Sequence, residues 1–199
     1  GIGIDVEEPT GNMIIDIGGG TTGISVIALA GIVCDQSIRI AGDEFTADIM
    51  EAMRRYHSLM IGERTAEQIK IHVGSALKEL DTPPDDIAVN GRDLVTGIPK
   101  QIMVSYQEVA EALDKSIFKI EEAILKALES TPPELAADIY RRGLYLTGGG
   151  ALLRDIDRLL MEETGLPVVI ADDPLTCVVR GSGKALEKME RLATIFTND

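Results

Sequence analysis

The chain has 199 residues, of which 45% are hydrophobic, and its formal net charge is −14 at pH 7. This length suits one large domain, or one domain with a small insert, and the acidic charge argues against nucleic-acid partners bound through their phosphates. No apolar run approaches the roughly 20 residues of a membrane span. The two cysteines, Cys34 and Cys177, are too few for a disulfide framework, and we interpret both as buried thiols in a reducing cytoplasm.

The first predicted element is a β-hairpin with a glycine turn. Two apolar runs, residues 13–17 and 23–29, flank the triplet Gly18, Gly19 and Gly20, and the second run is too rich in Ile and Val to start a helix. Adjacent glycines are usual where the backbone needs a positive φ or where a ligand approaches the main chain closely. Successive N–H groups in such a turn can bind an anion.

Three polar side chains beside this turn extend the hypothesis. The hydroxyls of Thr21 and Thr22 would add donors to the anion site. Asp16, at the mouth of the turn, could hold Mg²⁺ through the water shell that this ion retains. The pattern therefore indicates a nucleotide phosphate site, although a glycine turn without any ligand would have the same local sequence.

A third strand and a helix are predicted next. Residues 31–40 favour the strand, and Asp43 then stands where it could cap a helix with Phe45, Ile49 and Met53 on one face. Antiparallel strands at the start, followed by strands that helices separate, predict the mixed sheet of ribonuclease-H-like folds.

Residues 58–100 are typical of a small insert. Helical spacing over residues 63–80 predicts a helix that Pro83 and Pro84 would end. Asn90 and Gly91 give a hairpin-turn signal, and residues 96–104 form another extended run.

Two further helices follow the insert, and neither carries a chemical motif. Ser105 and Glu108 form a capping-box pattern ahead of a long helix with an apolar face. A short helix is predicted to start at the prolines after Thr131. His57 and His72 have no other ligand type at metal-binding spacing, and we interpret them as solvated or partly packed side chains.

A second glycine triplet, Gly148, Gly149 and Gly150, follows the apolar run 144–147 and precedes a segment with helical spacing. The free N–H groups and the dipole of a helix that starts there would favour a polar or anionic ligand. Neither triplet matches a P-loop or the dinucleotide fingerprint.

The remaining predicted elements are a strand and a helix. Residues 167–170 are all apolar, as in an internal parallel strand, and Pro174 opens the helix. Gly181 and Gly183 lie inside that helix, where glycine is unfavourable. Its apolar side chains would need to be buried against another surface. They are Leu175, Val178, Val179, Leu186, Met189, Leu192 and Ile195.

Together, the two triplets resemble known motifs. Residues 16–22 and 146–153 are similar to the second phosphate motif and the adenosine motif of the actin, Hsp70 and sugar kinase superfamily. Residues 133–138, 159–168 and 172–181 resemble, within it, the MreB family of bacterial actin-like proteins almost word for word.

This resemblance implies an α/β fold. We expect an actin-like ATPase, ribonuclease-H-like domain with a mixed sheet flanked by helices, and a small α+β insert. Residues 1–57 and 101–199 would form subdomain IIA, and residues 58–100 subdomain IIB. The family's domain I would lie upstream, residues 1–4 would end one of its helices, and the last helix would return towards it with its apolar face under-covered.

The resemblance also implies a ligand, ATP or ADP with Mg²⁺. The phosphates would meet Gly18, Gly19, Gly20, Thr21, Thr22, Gly42 and Asp43, and the adenosine would meet Gly148, Gly149, Gly150, Glu67 and Lys70. Asp16 would hold Mg²⁺ through water, and Thr21 and Thr22 would position the attacking water. Two alternatives stay open, since Asp43 could be a plain helix cap and Glu67 with Lys70 an exposed ion pair. Gly23 stands where relatives usually carry Glu, so any role of that carboxylate is lost or moved.

An intact family member is implied to polymerise with ATP and to organise cell-wall synthesis at the inner face of the membrane. Its partners would be further subunits and membrane-bound elongation proteins such as RodZ and MreC, with no nucleic acid and no direct membrane contact from this chain. The first phosphate loop and the water-activating carboxylate would lie upstream of residue 1, so this chain alone would not hydrolyse ATP. The alternatives are a sugar kinase, acetate kinase or Hsp70-like ATPase lobe, or an interaction module that keeps the glycines as relics.

Overall fold

A computed structural model describes residues 1–4 and 8–187. Eight strands and six α-helices make up this part of the chain, with short 3₁₀ turns at Gly149–Leu152 and Pro174–Thr176. The strands are β1 (Asn12–Ile17), β2 (Thr22–Ala28), β3 (Gly31–Ile38), β4 (Leu59–Met60), β5 (Ile87–Asp93), β6 (Pro99–Val104), β7 (Leu144–Thr147) and β8 (Val168–Ile170). The helices are α1 (Gly42–His57), α2 (Glu63–Val73), α3 (Tyr106–Glu129), α4 (Pro133–Arg142), α5 (Ile156–Thr164) and α6 (Cys177–Glu187).

The larger sheet has the strand order β3-β2-β1-β7-β8. Strands β1, β2 and β3 are antiparallel, as the predicted hairpin requires, whereas β7 lies parallel to β1 and β8 parallel to β7. The predicted mixed sheet flanked by helices is therefore confirmed. Because β1 and β7 are adjacent and parallel, their carboxyl ends meet at one edge of the sheet, and a glycine triplet follows each strand there.

Side chains of β1, α1 and α3 form the centre of the hydrophobic core, in which Met13, Ile15, Phe45, Ile49 and Leu113 are fully or almost fully buried. The capping box of α3 is present, and Pro133 is the first residue of α4, as predicted. None of the described helices is long and apolar enough to cross a bilayer.

The smaller sheet, β4-β5-β6, lies within residues 59–104 and shares the hydrophobic core of the larger one. The predicted turn at Asn90 and Gly91 is wrong, because both residues lie inside β5. A Cβ on Gly91 would come within 2.6 Å of the Met60 carbonyl oxygen, so this glycine allows β4 to pass close by. The turn is instead closed by the N–H of Asp93, which donates to the carbonyl oxygen of Ile98 at 2.9 Å.

Helix α2 is shorter than predicted, since it ends at Val73 rather than near residue 80. After Gly74 the chain turns towards α5, where Ser75 forms a parallel β-bridge with Arg154. The N–H of Ala76 donates to the carbonyl oxygen of Arg154 at 2.9 Å. This tertiary pairing replaces the helix that the apolar spacing favoured.

Three further expectations concern β8 and the two ends of the chain, and two of them are wrong. Strand β8 is an edge strand rather than an internal one, with Val169 and Ile170 exposed. Residues 1–4 are not helical, and Gly1 lies against α6 instead. The apolar face of α6 is exposed, as expected, at Val178, Val179 and Leu186, and so is Leu175 in the 3₁₀ turn before it. Met189, Leu192 and Ile195 lie outside the described residues.

Candidate functional site

The two glycine turns lie next to each other at the carboxyl edge of the larger sheet. Asp16, near the end of β1, pairs in register with Thr147 at the end of β7. A Cβ on Gly148 would overlap the carbonyl oxygen of Ile17, and one on Gly150 would overlap the Ile17 side chain. Ligands of open α/β sheets bind outside the carboxyl ends of the strands, so this edge is the candidate site.

The first turn presents bare backbone. The N–H of Gly18 donates to the carbonyl oxygen of Thr21 at 3.0 Å. The next three N–H groups, those of Gly19, Gly20 and Thr21, have no hydrogen-bond partner among the described residues, and all three residues are exposed. Adjacent free N–H groups of this kind can hold an anion.

Glycine at this turn is not required by backbone conformation. Contrary to one of the two expectations for adjacent glycines, none of Gly18, Gly19 and Gly20 has a positive φ. A Cβ on Gly19 or Gly20 would lie 3.6 Å from an Asp43 carboxylate oxygen, which is ordinary van der Waals contact. The other reason for glycine remains, which is that a ligand must approach the main chain closely.

Helix α1 is anchored on this turn by its first residues. The N–H of Gly42 donates to the Gly18 carbonyl oxygen at 3.1 Å, and the N–H of Asp43 donates to that of Gly19 at 2.7 Å. The prediction that Asp43 caps the helix is wrong, because the cap residue is Ala41 and no side chain caps the helix. Asp43 lies in the first turn of α1 and directs its carboxylate at the glycine turn instead.

Glu67 and Lys70 on α2 join this group of residues. The Lys70 ammonium lies 2.7 Å from the Glu67 carboxylate and donates to the Gly42 carbonyl oxygen at 2.9 Å and to the Thr46 hydroxyl at 3.1 Å. Burial acts to raise the pKa of Glu67, but hydrogen bonds from Lys70 and Thr46 outweigh it and lower that pKa. The pair is thus not an isolated ion pair on a helix surface, since it connects α2 to the start of α1.

The two threonines of the turn differ in what they can do. Thr21 is exposed. Thr22 is fully buried, and its hydroxyl donates to the Ile40 carbonyl oxygen at 2.6 Å. The prediction that Thr22 binds phosphate or positions water does not fit this arrangement, because its hydroxyl is already engaged. Thr21 remains the candidate.

The second turn differs from its prediction in one respect. The glycines open a 3₁₀ turn, and α5 begins only at Ile156, so a helix dipole adds little there. Gly148 has a φ of 84° and donates its N–H to the Pro174 carbonyl oxygen at 3.1 Å. Gly149 is exposed, and its N–H has no backbone partner among the described residues.

Asp16 lies between the two turns. Its carboxylate is close to Gly148 and has no hydrogen bond or ion pair with any described residue. Burial raises its pKa. The described residues contain no group of three or more side chains that could hold a metal directly. A single free carboxylate does fit Mg²⁺ held through its water shell.

Asp16→Asn should stabilise the ligand-free chain at neutral pH, because the folded carboxylate has a raised pKa. Between the ordinary pKa of 3.8 and the raised one, the folded state binds more protons than the unfolded state, so stability falls as pH rises through that window. The stability difference between Asp16→Asn and the parent should vanish below pH 3.8. Urea unfolding at several pH values measures this difference, and an Asn variant less stable than the parent at pH 7 would contradict the assignment.

Some site features have no signal in the sequence. Thr46 bridges Lys70 and Glu67, although it lies 21 residues from Glu67 in the chain. The other singled-out residues lie outside this group, since His57 pairs with Glu108 at 2.7 Å and His72 contacts the Gln68 carbonyl oxygen. The thiol of Cys177 is buried as predicted, whereas Cys34 is only half-buried.

Comparison with known proteins decides the family. A family model described as MreB/Mbl protein matches residues 1–194. The chain belongs to the MreB/Mbl family. The cell shape-determining protein MreB of Escherichia coli K12 is 52% identical over 193 residues, which cover 96% of this chain and 54% of that protein. The chain therefore spans about half the length of the curated MreB relatives that it matches.

Solved structures agree with this membership. MreB5 of Spiroplasma citri bound to ADP superposes with a TM-score of 0.92 at 38% identity, covering 99% of this chain and 59% of that one. The same protein bound to AMPPNP gives a TM-score of 0.91 at 39% identity, covering 96% and 56%. A MamK double helical filament gives a TM-score of 0.73 at 25% identity, covering 88% and 54%. This MreB/Mbl chain thus has the actin-like fold.

Proposed function

We propose that this MreB/Mbl chain binds Mg²⁺ with ATP or ADP at the carboxyl edge of the larger sheet. The N–H groups of Gly19, Gly20 and Thr21 hold the phosphates, and the turn at Gly149 faces the adenosine. The observation that carries the proposal is the first turn, where three neighbouring exposed residues have N–H groups with no partner in the described part of the chain. Support also comes from MreB5, which has been solved with ADP and with AMPPNP.

Charge balance supports the metal ion in this proposal. The Asp43 carboxylate lies beside the first glycine turn, and the Asp16 carboxylate lies beside Gly148 of the second turn. These carboxylates would repel a phosphate chain, and a divalent cation held at the site would offset that repulsion. Asp16 would hold Mg²⁺ through water, and Lys70 and Glu67 would meet the ribose and base.

The whole protein is proposed to be a polymer subunit that helps to determine cell shape. Its relatives include proteins named for that role and a protein solved as a double helical filament. Filaments at the inner face of the cell membrane would organise cell-wall synthesis together with RodZ and MreC. Membership of the MreB/Mbl family argues against a sugar kinase, acetate kinase or Hsp70-like role.

This chain alone is expected to bind Mg·ATP weakly and not to hydrolyse it, because catalysis would need the family's first phosphate loop and its water-activating carboxylate. Displacement of a fluorescent ATP analogue by ATP and ADP, but not by glucose or acetate, tests binding. A phosphate-release assay with and without Mg²⁺ tests turnover. Magnesium-dependent release above background would contradict the second expectation, and failure of ATP to displace the analogue would contradict the first.

A further inference from the structure

A groove of about 800 Å³ opens away from the glycine turns, between α3, α5 and residues 76–79. Its lining includes none of the residues of either turn. Ile117 and Leu159 provide apolar surface, and Phe118 on the rim is 56% exposed. The segment 76–79 is fixed as a wall because Ala76 is hydrogen-bonded to Arg154, just before α5. The volume is in the range of small-molecule sites.

Glu121 lines this groove, and its carboxylate oxygens are open to the groove rather than enclosed in the core. Only 9% of the residue is exposed, and it makes no hydrogen bond or ion pair with any described residue. Burial raises the pKa of Glu121, and the neighbouring carboxylates Glu163 and Asp114 raise it further. A carboxylate on a mostly buried side chain loses part of its hydration and is normally paired, so the absence of a counter-ion among the described residues requires an explanation.

The other charges of the groove leave this carboxylate uncompensated. Arg158 is already paired, with Glu162 at 3.1 Å and with Asp81 at 3.6 Å. The charged side chains that act on Glu121 are themselves acidic. Along the groove five carboxylates stand against three basic side chains, and these residues are Glu79, Asp114, Glu121, Glu162, Glu163, Lys78, Lys115 and Arg158. Acidic side chains therefore outnumber basic ones along the groove, which favours a cation there.

We propose that this groove binds an organic cation, an ammonium or guanidinium group on an apolar stem. The head pairs with Glu121, and the stem packs on Ile117, Leu159 and Phe118. A metal ion is a poorer occupant, because the described residues hold no three-ligand cluster and the apolar surface would contribute nothing to it. The same cation chemistry occurs in free amines and in the basic side chains of polypeptides.

Calorimetric titration of this chain with three probes tests the proposal and distinguishes the two sources. The probes are agmatine, the peptide acetyl-Leu-Arg-Leu-amide, and the same peptide with neutral citrulline in place of arginine. We expect agmatine or the arginine peptide to bind and the citrulline peptide to bind at least tenfold more weakly. Binding of agmatine alone identifies a free amine as the ligand, and binding of the peptide alone identifies a basic side chain.

Glu121→Gln keeps the shape of the side chain and removes its charge, so we expect at least a tenfold loss of affinity for the charged probe. The matched control is Glu122→Gln, the neighbouring residue on α3, which is exposed and does not line the groove. Phe118→Ala on the exposed rim tests the stem contact independently, should Glu121→Gln fail to fold. The proposal is overturned if no charged probe binds, if citrulline binds as well as arginine, or if affinity survives in folded Glu121→Gln and Phe118→Ala chains.

Discussion

Gly148→Ala is expected to lower the free energy of unfolding by about 3–5 kcal/mol. Gly148 has a φ of 84° and a ψ of 173°, a region that is essentially restricted to glycine. The added Cβ would also overlap the Ile17 carbonyl oxygen and the Asp16 carboxylate. For a domain of this size such a loss corresponds to a fall in Tm of roughly 6–20 °C, which thermal unfolding followed by circular dichroism would measure.

The matched control for this prediction is Gly149→Ala, the next residue of the same triplet. Gly149 is exposed and has no positive φ, and its added Cβ would meet only Leu175, at 3.4 Å. We expect a Tm within a few degrees of the parent, because a surface substitution without strain changes stability by about 0.5 kcal/mol or less. Equal losses in the two variants would contradict the close packing of the second turn on β1.

The double variant Gly19→Ala with Gly20→Ala is expected to lose affinity for Mg·ATP while keeping its stability. Both positions have room for a methyl group beside Asp43, so the free energy of unfolding should change by less than about 1 kcal/mol. Two methyl groups beside the free N–H groups would keep phosphate oxygens at a distance. We expect affinity for Mg·ATP to fall at least tenfold, which corresponds to about 1.4 kcal/mol.

Gly183→Ala serves as the control for this pair, since it adds a methyl group in open space on α6. That control should keep its nucleotide affinity and gain up to about 1 kcal/mol of stability, because alanine favours a helix over glycine. Displacement of a fluorescent ATP analogue gives the affinities, and urea unfolding gives the stabilities. Full affinity in the double variant would show that the bare turn does not hold the phosphates.

The sequence predicted well those elements whose formation depends on residues close together in the chain. The hairpin β1–β2 follows from β-branched runs on either side of glycine, and the start of α3 follows from Ser105 and Glu108 three residues apart. The errors arose where distant contacts decided the outcome. Helix α2 ends early because Ser75 pairs with Arg154, and Gly91 lies inside a strand because β4 passes next to it.

The same distinction holds for the candidate site, where the sequence identified the glycine turns but not the contacts between distant residues. The glycine triplets identified both turns, and the parallel pairing of β1 with β7 then brought them to one edge. The bridging role of Thr46 and the engaged hydroxyl of Thr22 depend on contacts across 21 and 18 residues of chain. The groove around Glu121, which has no partner within residues 1–4 and 8–187, is lined by α3, α5 and residues 76–79, so no local pattern marks it.

The central claim is that both glycine turns contact one nucleotide. A titration of the ¹⁵N-labelled chain with Mg·ATP, followed by NMR, tests it directly through the amide signals of Gly19, Gly20, Thr21 and Gly149. We predict that all four signals shift along curves with one common dissociation constant, while the amide of Gly183 stays in place. Shifts confined to one turn, or two turns that saturate at different nucleotide concentrations, would contradict it.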